Sequence, residues 1–452
     1  MKIIIAGDGK VGATLTEKLS GEGHSVTIID NDSDVIENLV DMYDVLAVNG
    51  NCASMDILEQ ADVTNADLLI AATSSDEVNM VCCITAHSLN PFIHTIARIR
   101  NPEYNSQVAR MKDKFGMSLI FNPERQAATE IERLIKFPGF LQRDTFAKGR
   151  AEIVELRISA DSKLNNVAIK DLMSVIKCKV LICIVTREGV AYAPDGDFIL
   201  EEGDRIFVTA PTNSLTELLN NLNIITHRAR RVIVCGAGKI SYYLAERLMR
   251  SGIKVQVIEK DLAKCEELAA RLPKAIVVHG DASDQKLLES EGVDSCDALV
   301  TLTGFDELNM VISLYGNSQK IPQIITKIDR VGNTQMLDVL PIGSTICPKQ
   351  ICSESIVTYV RAMQNQKGAA LTIHSIADGQ AEALEFRVDE NTEYCGVPLK
   401  QLRIKKGVLL ACITRGTQTV IPNGDSSYSP GDTLIIITTK ENVISQIDDI
   451  FD

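Results

Sequence analysis

Three glycines stand at the spacing that a phosphate-binding turn requires. Gly7, Gly9 and Gly12 follow an apolar run at residues 2–6 and precede a segment of helix length. In such a turn the first glycine permits the tight bend, the second lets the backbone approach a pyrophosphate, and the third lets helix and strand pack closely. The phosphates then meet backbone N–H groups at the positive end of a helix. The alternative is an ordinary sheet whose glycines only make turns.

An acidic residue ends the next apolar run. Asp30 comes 23 residues after Gly7 and follows residues 26–29, Val-Thr-Ile-Ile. A carboxylate at this place accepts hydrogen bonds from ribose hydroxyls and repels a 2′-phosphate. The pattern therefore favours NAD(H) or an adenine nucleotide over NADP(H).

The chain repeats itself. Gly236 and Gly238 stand 229 residues after Gly7 and Gly9, and Glu259 stands 229 residues after Asp30. Further pairs keep nearly the same offset: Gly50-Asn51 with Gly280-Asp281, residues 76–79 with 306–309, and Gly203-Asp204 with Gly431-Asp432. Self-similarity at a fixed period indicates a duplicated unit. Ser241 replaces the third glycine of the second turn, so we expect the two sites to differ in affinity.

Small polar residues follow the fourth apolar run. Thr73 and Ser74 would lie at the carboxyl edge of a parallel sheet, where ligands bind. Helix capping by Ser75 or Asp76 is the other interpretation. We expect Thr73 and Ser74 to line the cleft and Asp76 to cap the helix.

Two further groups are placed at the same edge. Asn51 follows the third strand, where its amide could reach an adenine or a ribose, and the adjacent Cys52 is interpreted as a small core residue rather than a nucleophile. Arg98 and Arg100 end the fifth strand. They could hold a phosphate of this or a neighbouring subunit's ligand, or they could be ordinary surface ion-pair partners.

The spacing of apolar runs predicts the fold. Strands are expected at residues 2–6, 25–30, 45–48, 67–72, 93–98 and 118–121, with helices between them, which implies a parallel sheet covered on both faces. Strands near 152–158, 179–185 and 205–209 indicate a small α+β domain. We therefore predict an α/β protein with a duplicated Rossmann-like, doubly wound parallel sheet domain, each copy followed by a small α+β domain. The predicted boundaries are 1–140, 141–222, a linker at 223–230, 231–365 and 366–452.

Composition excludes several classes of protein. The formal net charge of −14 argues against nucleic acid as a partner. Because no apolar run approaches the roughly 18–20 residues that span a bilayer and no signal pattern opens the chain, we expect a cytoplasmic protein. The twelve cysteines and six histidines lack zinc or redox spacing, so we predict no metal site.

These features together resemble the regulator-of-potassium-conductance (RCK) fold. The resemblance is carried by the glycine turn, Asp30, Gly50-Asn51, the segment Thr73-Ser74-x-Asp76-Glu77-x-Asn79 and the small β-rich domain. Two such units in one chain are similar to the TrkA-type subunit of bacterial and archaeal Trk potassium uptake systems. The resemblance covers essentially the whole chain.

The resemblance implies a peripheral regulatory subunit that gates an integral membrane potassium-translocating subunit. It also implies self-assembly, with four chains in a homotetrameric ring, and binding of NAD(H), and of ATP or ADP, in the sheet domains. The residues expected to bind the cofactor are Gly7, Asp8, Gly9, Lys10, Val11, Gly12, Asp30, Asn51, Thr73, Ser74 and Arg98 in the first unit and Gly236, Ala237, Gly238, Lys239, Ile240 and Glu259 in the second.

Two other functions stay open at this point. An NAD-dependent dehydrogenase uses the same fold, but it needs a substrate domain that brings an acid or a base to the nicotinamide. Here the second half is another copy of the binding unit, so we expect no enzyme and no catalytic residues. The regulatory module of another cation channel or exchanger would differ only in its membrane partner.

Overall fold

The structure, a computed structural model, describes residues 1–451 except 8, 137–141, 147–149, 223–228, 330–339, 364–369, 378, 417, 440, 441, 443 and 445. The chain divides into two compact units. One comprises residues 1–129, 238–246 and 347–357, and the other comprises 130–237, 247–346 and 358–452.

The N-terminal part is a six-stranded parallel sheet in the order β3-β2-β1-β4-β5-β6. Its strands are β1 (Lys2–Ala6), β2 (Ser25–Asp30), β3 (Leu46–Asn49), β4 (Leu68–Ala71), β5 (His94–Arg98) and β6 (Leu119–Phe121). Its helices are α1 (Lys10–Gly21), α2 (Ser33–Met42), α3 (Met55–Gln60), α4 (Asp76–Leu89), α5 (Pro102–Met111) and α6 (Pro123–Lys136). The order reverses between β1 and β4, so their carboxyl ends form the switch point where open α/β sheets bind ligands.

The strands are continuous apolar runs because helices cover both faces of the sheet. Ile3, Ile4 and Ile5 are all at most 1% exposed, and β4 is buried along its whole length. The predicted strand positions are confirmed to within one residue at their ends.

A five-stranded antiparallel sheet follows, in the order β10-β9-β11-β8-β7. Its strands are β7 (Gln142–Phe146), β8 (Ala151–Arg157), β9 (Leu181–Arg187), β10 (Val190–Tyr192) and β11 (Arg205–Pro211), accompanied by helices α7 (Leu172–Val175) and α8 (Thr212–Asn221). The sequence predicted β8, β9 and β11 but missed the edge strands. β10 has only three residues, and β7 carries the polar sequence Gln-Arg-Asp-Thr before the buried Phe146.

The second parallel sheet has the same order, β14-β13-β12-β15-β16-β17. Its elements are β12 (Arg231–Cys235), α9 (Lys239–Arg250), β13 (Lys254–Glu259), α10 (Leu262–Arg271), β14 (Ile276–His279), α11 (Gln285–Ser290), β15 (Ala298–Thr301), α12 (Asp306–Ser318), β16 (Gln323–Lys327), β17 (Ser344–Ile346) and α13 (Pro348–Met363). A second antiparallel sheet, β18-β19-β22-β20-β21, consists of β18 (Thr372–Ile376), β19 (Ala381–Arg387), β20 (Val408–Arg415), β21 (Gln418–Val420) and β22 (Thr433–Thr439). The predicted duplicated α/β fold is confirmed.

The aspartate of each repeated Gly-Asp pair in the small domains binds an arginine of a neighbouring strand. Asp204 is 1% exposed and accepts two hydrogen bonds of 2.7 Å from the guanidinium of Arg187. Asp432 makes the same contact with Arg415, with a shortest distance of 2.7 Å. A bidentate guanidinium–carboxylate pair fixes both position and orientation. This pair therefore ties the turn before the last strand of each small sheet to the neighbouring strand.

The two small sheets share one apolar core. Phe146, Ile153 and Phe207 of the first pack in the same cluster as Ile376 and Ile435 of the second, and each is at most 1% exposed. Burying large apolar side chains against each other stabilises the pair by about 1.5–3 kcal/mol for each fully buried side chain. The small domains are therefore a structural pair.

A buried asparagine links two chain segments at the carboxyl edge of each parallel sheet. Asn79 is 0% exposed; its Oδ1 accepts from the Thr73 N–H at 2.8 Å and the Thr73 hydroxyl at 2.7 Å, and its Nδ2 donates to the Arg98 carbonyl at 2.9 Å. Asn309 makes the equivalent contacts with Thr303 and with the Lys327 carbonyl, at 2.8 to 3.0 Å. This side chain joins the turn after the fourth strand to the end of the fifth.

Replacing this asparagine should destabilise the fold. Asn309→Ala leaves buried donors and acceptors without partners, so we expect the free energy of unfolding to fall by about 2–4 kcal/mol. Asn317→Ala, on the exposed face of the same helix, is the matched control and should change it by less than about 0.5 kcal/mol. Equal denaturation midpoints for the two variants would contradict the assigned role.

Candidate functional site

The first glycine turn depends on a close backbone contact. Gly7 has φ +90°, and a Cβ there would lie 2.7 Å from the Cα of Thr73. Its N–H donates to the Ile29 carbonyl at 2.8 Å. Positive φ and the missing Cβ are both properties of glycine. The turn thus lies directly against the residue that follows β4.

The second glycine faces open space. Gly9 is the N-cap residue of α1, and a Cβ added there would meet no atom within 4 Å. Among the described residues, no side chain caps this helix end. Lys10 is exposed, whereas Val11 and Gly12 are buried beneath the turn. Open space beside a helix N-terminus fits a phosphate group. Asp8 lies outside the described residues.

Two side chains flank the turn at the ends of β2 and β3. Asp30 is half-buried; its Oδ1 accepts from the Asp32 N–H at 3.0 Å and its carbonyl accepts from the Gly50 N–H at 2.8 Å. Asn51 is exposed, and its Oδ1 accepts from the Ala53 N–H at 3.0 Å. The structure thus brings the predicted ribose and base contacts to the same sheet edge as the glycines.

The segment after β4 corrects one prediction. Ser75, not Asp76, caps α4: its hydroxyl accepts from the Val78 N–H at 3.2 Å. Asp76 is 6% exposed and accepts from the backbone N–H groups of Arg100 at 2.9 Å and Asn101 at 2.7 Å. Its carboxylate was expected to serve its own helix, but it holds the loop after β5.

Thr73 and Ser74 lie at the expected edge. Thr73 is half-buried and bonded to Asn79, whereas Ser74 is exposed. Two guanidinium groups donate to the carbonyls of this pair, Arg98 to Thr73 and Arg100 to Ser74. The arginines therefore position the segment that meets the glycine turn.

The two arginines belong to a partly buried charge cluster. Arg98 is 9% exposed, and burial, with the nearby Arg100 charge, lowers the pKa of its guanidinium. Arg100 lies 3.7 Å from Asp76 and 3.9 Å from Glu124. Burial raises the pKa of Glu124. The buried Nε of Arg98 and Oε2 of Glu124 have no hydrogen-bond partner among the described residues, so the cluster retains polar groups that a ligand could satisfy.

Lys239, the first residue of α9 after the second glycine turn, also acts on carboxylates at the edge of the first sheet. Its ammonium charge is near the carboxylates of Glu77 and Glu124; burial raises the pKa of Glu124, and the Lys239 charge opposes part of that rise. Hydrogen bonds from Tyr104 and Ser75 dominate the lowering for Glu77, whose pKa falls to about 2. Lys239 thus adds positive charge to the edge that carries Arg98 and Arg100.

Sequence reasoning missed two contacts at this edge. The Tyr243 hydroxyl donates to the Arg100 carbonyl at 2.9 Å, and the Asn122 Nδ2 donates to that hydroxyl at 3.0 Å. Both side chains are at most 6% exposed. The only signal for Asn122 was its place before Pro123 at the end of β6, and no local pattern marks Tyr243.

The second glycine turn repeats the first with differences. Gly236 has φ +106°, a Cβ there would lie 2.8 Å from the Leu302 carbonyl oxygen, and Gly238 is open. The Glu259 carboxylate accepts from the Ala237 N–H at 2.8 Å and from the Asp261 N–H at 2.9 Å. Ile240 is half-buried, and Ser241, in place of the third glycine, is fully buried. A ligand that needs the Ala237 N–H must displace a carboxylate.

Models of two domain families each match both halves of the chain. The TrkA-N domain matches residues 3–123 and 232–348, and the TrkA-C domain matches residues 153–223 and 383–452. The chain belongs to the TrkA family. Its relatives include the "Trk system potassium uptake protein TrkA" of Haemophilus influenzae, 30% identical over 459 residues that cover 100% of this chain and 98% of the relative.

Solved structures share the TrkA fold of the chain. The "GsuK channel bound to NAD" superposes with a TM-score of 0.61 at 18% identity, covering 97% of this chain and 77% of that one. The "GsuK bound to ADP" gives 0.51 at 15% identity, with 80% and 69% covered. Within the described ranges of this TrkA chain, no helix has the length and apolarity that crossing a bilayer demands.

Gly9→Ala should weaken nucleotide binding while leaving the stability of the fold nearly unchanged. The added Cβ meets no protein atom but occupies the space where we expect a phosphate, so the free energy of unfolding should change by no more than about 1 kcal/mol. Loss of a hydrogen bond to a charged group, about 1.5–3 kcal/mol, should weaken NAD or ADP binding to this site by roughly 10- to 100-fold. Gly21→Ala, on the same helix and equally open, is the control and should bind as the wild type does.

The two turns should bind with unequal affinity. The buried Ser241, in place of the third glycine, adds a side chain between helix and strand in the second turn, so we expect affinities about fivefold or more apart, about 1 kcal/mol in binding free energy. Titration calorimetry should show two phases, with Gly9→Ala removing one and Gly238→Ala the other. A single phase that both variants weaken equally would show that the sites are equivalent.

Proposed function

We propose that the chain is a cytoplasmic regulatory subunit that binds NAD(H) and adenine nucleotides in its two parallel-sheet domains and gates a membrane potassium transporter. The observation that carries this proposal is the pair of open glycine turns, each with a carboxylate at the end of the next strand. The chain supplies this arrangement twice, and its family relatives are named for potassium uptake.

The proposed ligand class follows from the chemistry of the turn. Gly7, Gly9 and the first turn of α1 would hold the phosphates, and Asp30 would accept from the ribose hydroxyls. In both units the proposed contacts are the glycine turn and the acidic residue that ends the next strand; in the first unit they also include Asn51, Thr73, Ser74 and Arg98, with the charge of Lys239 nearby. The carboxylates of Asp30 and Glu259 repel a 2′-phosphate. That GsuK structures hold NAD and ADP supports both ligand types.

The charge cluster offers a means of distinguishing ligands by phosphate count. Arg98, Arg100 and Lys239 bring positive charge to an edge that also holds Glu77 and Glu124. An additional phosphate would compete with these carboxylates for the cations. Because a ligand shifts an equilibrium only by its differential affinity for two conformations, ADP and ATP would favour different arrangements of this edge.

Family resemblance is the basis for the proposed assembly, in which nucleotide binding to the chain gates the membrane transporter. Four chains would form a ring of eight RCK units attached through an integral membrane potassium-translocating subunit at the inner face of the cell membrane. The domain boundaries proposed above place α6 and α13 at the end of each sheet domain. These helices begin where the TrkA-N matches end.

A regulatory role fits the described residues better than hydride transfer. The cleft residues near the glycine turns are engaged in holding loops: Thr73 with Asn79, Arg100 with Ser74, and Asp76 with the backbone after β5. A dehydrogenase needs a second domain that presents a substrate to the nicotinamide, whereas this chain presents a second copy of the same fold. We therefore propose no catalytic activity.

Nucleotide-dependent ion flux tests the proposal. The membrane protein that co-purifies with the chain would be reconstituted in liposomes, and rubidium flux measured with ATP, ADP, NAD⁺ or NADH. We expect at least one nucleotide to change the flux several-fold with the wild type and Gly21→Ala, and none to do so with the double variant Gly9→Ala, Gly238→Ala. Co-purification with no potassium transporter, or flux that ignores every nucleotide, would reject the function.

A further inference from the structure

The first small domain exposes apolar side chains at the edge of its sheet. Val190 and Tyr192 alternate along the edge strand β10, so both lie on one face, and they are 49% and 43% exposed. The Tyr192 ring centroid lies 6.0 Å from that of Phe198, and the next residue, Ile199, is 51% exposed. Arg187 pairs with Val190 across the hairpin, and its guanidinium donates to the Ile199 carbonyl at 2.8 Å. We call Val190, Tyr192, Phe198 and Ile199 the edge surface.

Acidic side chains are concentrated in the same segment. Residues 188–202 contain no lysine or arginine and five exposed carboxylates, namely Glu188, Asp195, Asp197, Glu201 and Glu202. Lys170 pairs with Asp197 at 2.7 Å, and Arg187 pairs with Glu201 at 3.2 Å. The other three carboxylates have no ion-pair partner within the described ranges. Exposed apolar side chains beside polar ones are typical of a surface that binds another protein.

The second small domain has the same fold with a more polar edge. At an offset of 228 residues, Gln418 stands for Val190 and Ser427 for Ile199. The corresponding segment, 416–430, contains one acidic residue instead of five. Because both small sheets have the same strand order, the fold requires neither the exposed apolar side chains nor the acids of the first copy.

We propose that the edge surface docks a cytoplasmic segment of the membrane subunit that carries Lys or Arg between apolar side chains. The proposal rests on the proposed function, which supplies the membrane partner. Cytoplasmic loops of membrane proteins contain an excess of Lys and Arg. Their charge complements the five carboxylates, and the apolar side chains of the segment would cover Val190, Tyr192 and Ile199.

The negative charge argues against two other occupants. A second copy of the edge surface would bring the five carboxylates of each chain together, and like charges across an interface cost affinity. An anionic lipid surface attracts clustered Lys and Arg, which residues 188–202 lack. The acids therefore select a cationic partner and speed its association.

A synthetic peptide that alternates lysine and leucine is the probe for the edge surface. Fluorescence anisotropy should show that Val190→Gln, Ile199→Ser binds it about tenfold or more weakly than the wild type, because apolar anchors dominate interface energies. The second small domain carries these same residues, so the variant should keep the wild-type denaturation midpoint and ADP affinity. A peptide that alternates glutamate and leucine should not bind. Wild-type affinity for the lysine peptide in the folded variant would overturn the proposal.

Removing carboxylates tests the charge against a matched control. The variant Glu188→Gln, Asp195→Asn, Glu202→Gln should bind the lysine peptide several-fold more weakly and with a shallower dependence on salt, because exposed charges are screened. The control removes three exposed acids elsewhere, Glu17→Gln, Glu59→Gln and Glu266→Gln, and should bind as the wild type does. Equal weakening in both variants would mean that net charge alone attracts the peptide, and the docking surface would be rejected.

Co-sedimentation with liposomes tests the source of the segment. The membrane protein that co-purifies with the chain is reconstituted, and protein-free vesicles of the same lipid are the control. We expect the wild type to sediment with the protein-containing vesicles, and both edge variants to do so about tenfold more weakly. Unchanged sedimentation of the variants, equal binding to lipid alone, or an altered oligomeric state of the variants in light scattering would contradict this occupant.

Failure of the proposed function is distinguishable from failure of the docking surface. If no membrane protein co-purifies, the proposed function fails and the membrane occupant fails with it, whereas the peptide assays still decide whether the edge surface binds a basic apolar segment. If nucleotides control ion flux but the edge variants sediment as the wild type does, only the docking surface is wrong.

Discussion

The structure depends on one close approach of two backbone segments. Gly7 lies against Thr73, which follows β4, at a distance that leaves no room for a Cβ. Thr73, on the other side of the contact, is held by Asn79 and by the Arg98 guanidinium. The end of β5 is thereby joined to the turn after β1, and this part of the carboxyl edge is one connected group of contacts. Any ligand at the glycine turn must act on this group.

The duplication keeps that constraint and varies what surrounds it. Gly236 and Asn309 reproduce the close approach and its support in the second sheet, so both copies of the fold contain them. The differences include Ser241 in place of Gly12 and Glu259 in place of Asp30. A chain with two copies of one scaffold can therefore respond to two ligands, or to one ligand over two concentration ranges. This combination suits a regulator better than an enzyme.

Much of the scaffold was predictable because its signals are local. The glycine spacing, the apolar runs and the acidic residue after β2 lie within about thirty residues, and the repeat doubled each of them. The contacts that sequence did not reveal join distant residues, as between Asn122 and Tyr243, which are 121 positions apart. Asp76 was misassigned for the same reason, since its partners are 24 and 25 residues away and helix-capping rules consider only neighbours. The polar β7 and the three-residue β10 carry too few apolar residues to stand out from loops.

The proposed regulation requires a pyrophosphate on the amides after β1, with its ribose held by the carboxylate of Asp30 at the end of β2. An experimental structure of the chain with NAD tests this most directly. We expect phosphate density within hydrogen-bond distance of the backbone N–H groups at the start of α1, and ribose hydroxyls at the carboxylate of Asp30. Density for the dinucleotide only in the small domains, or at the sheet edge but away from Gly9, would contradict it.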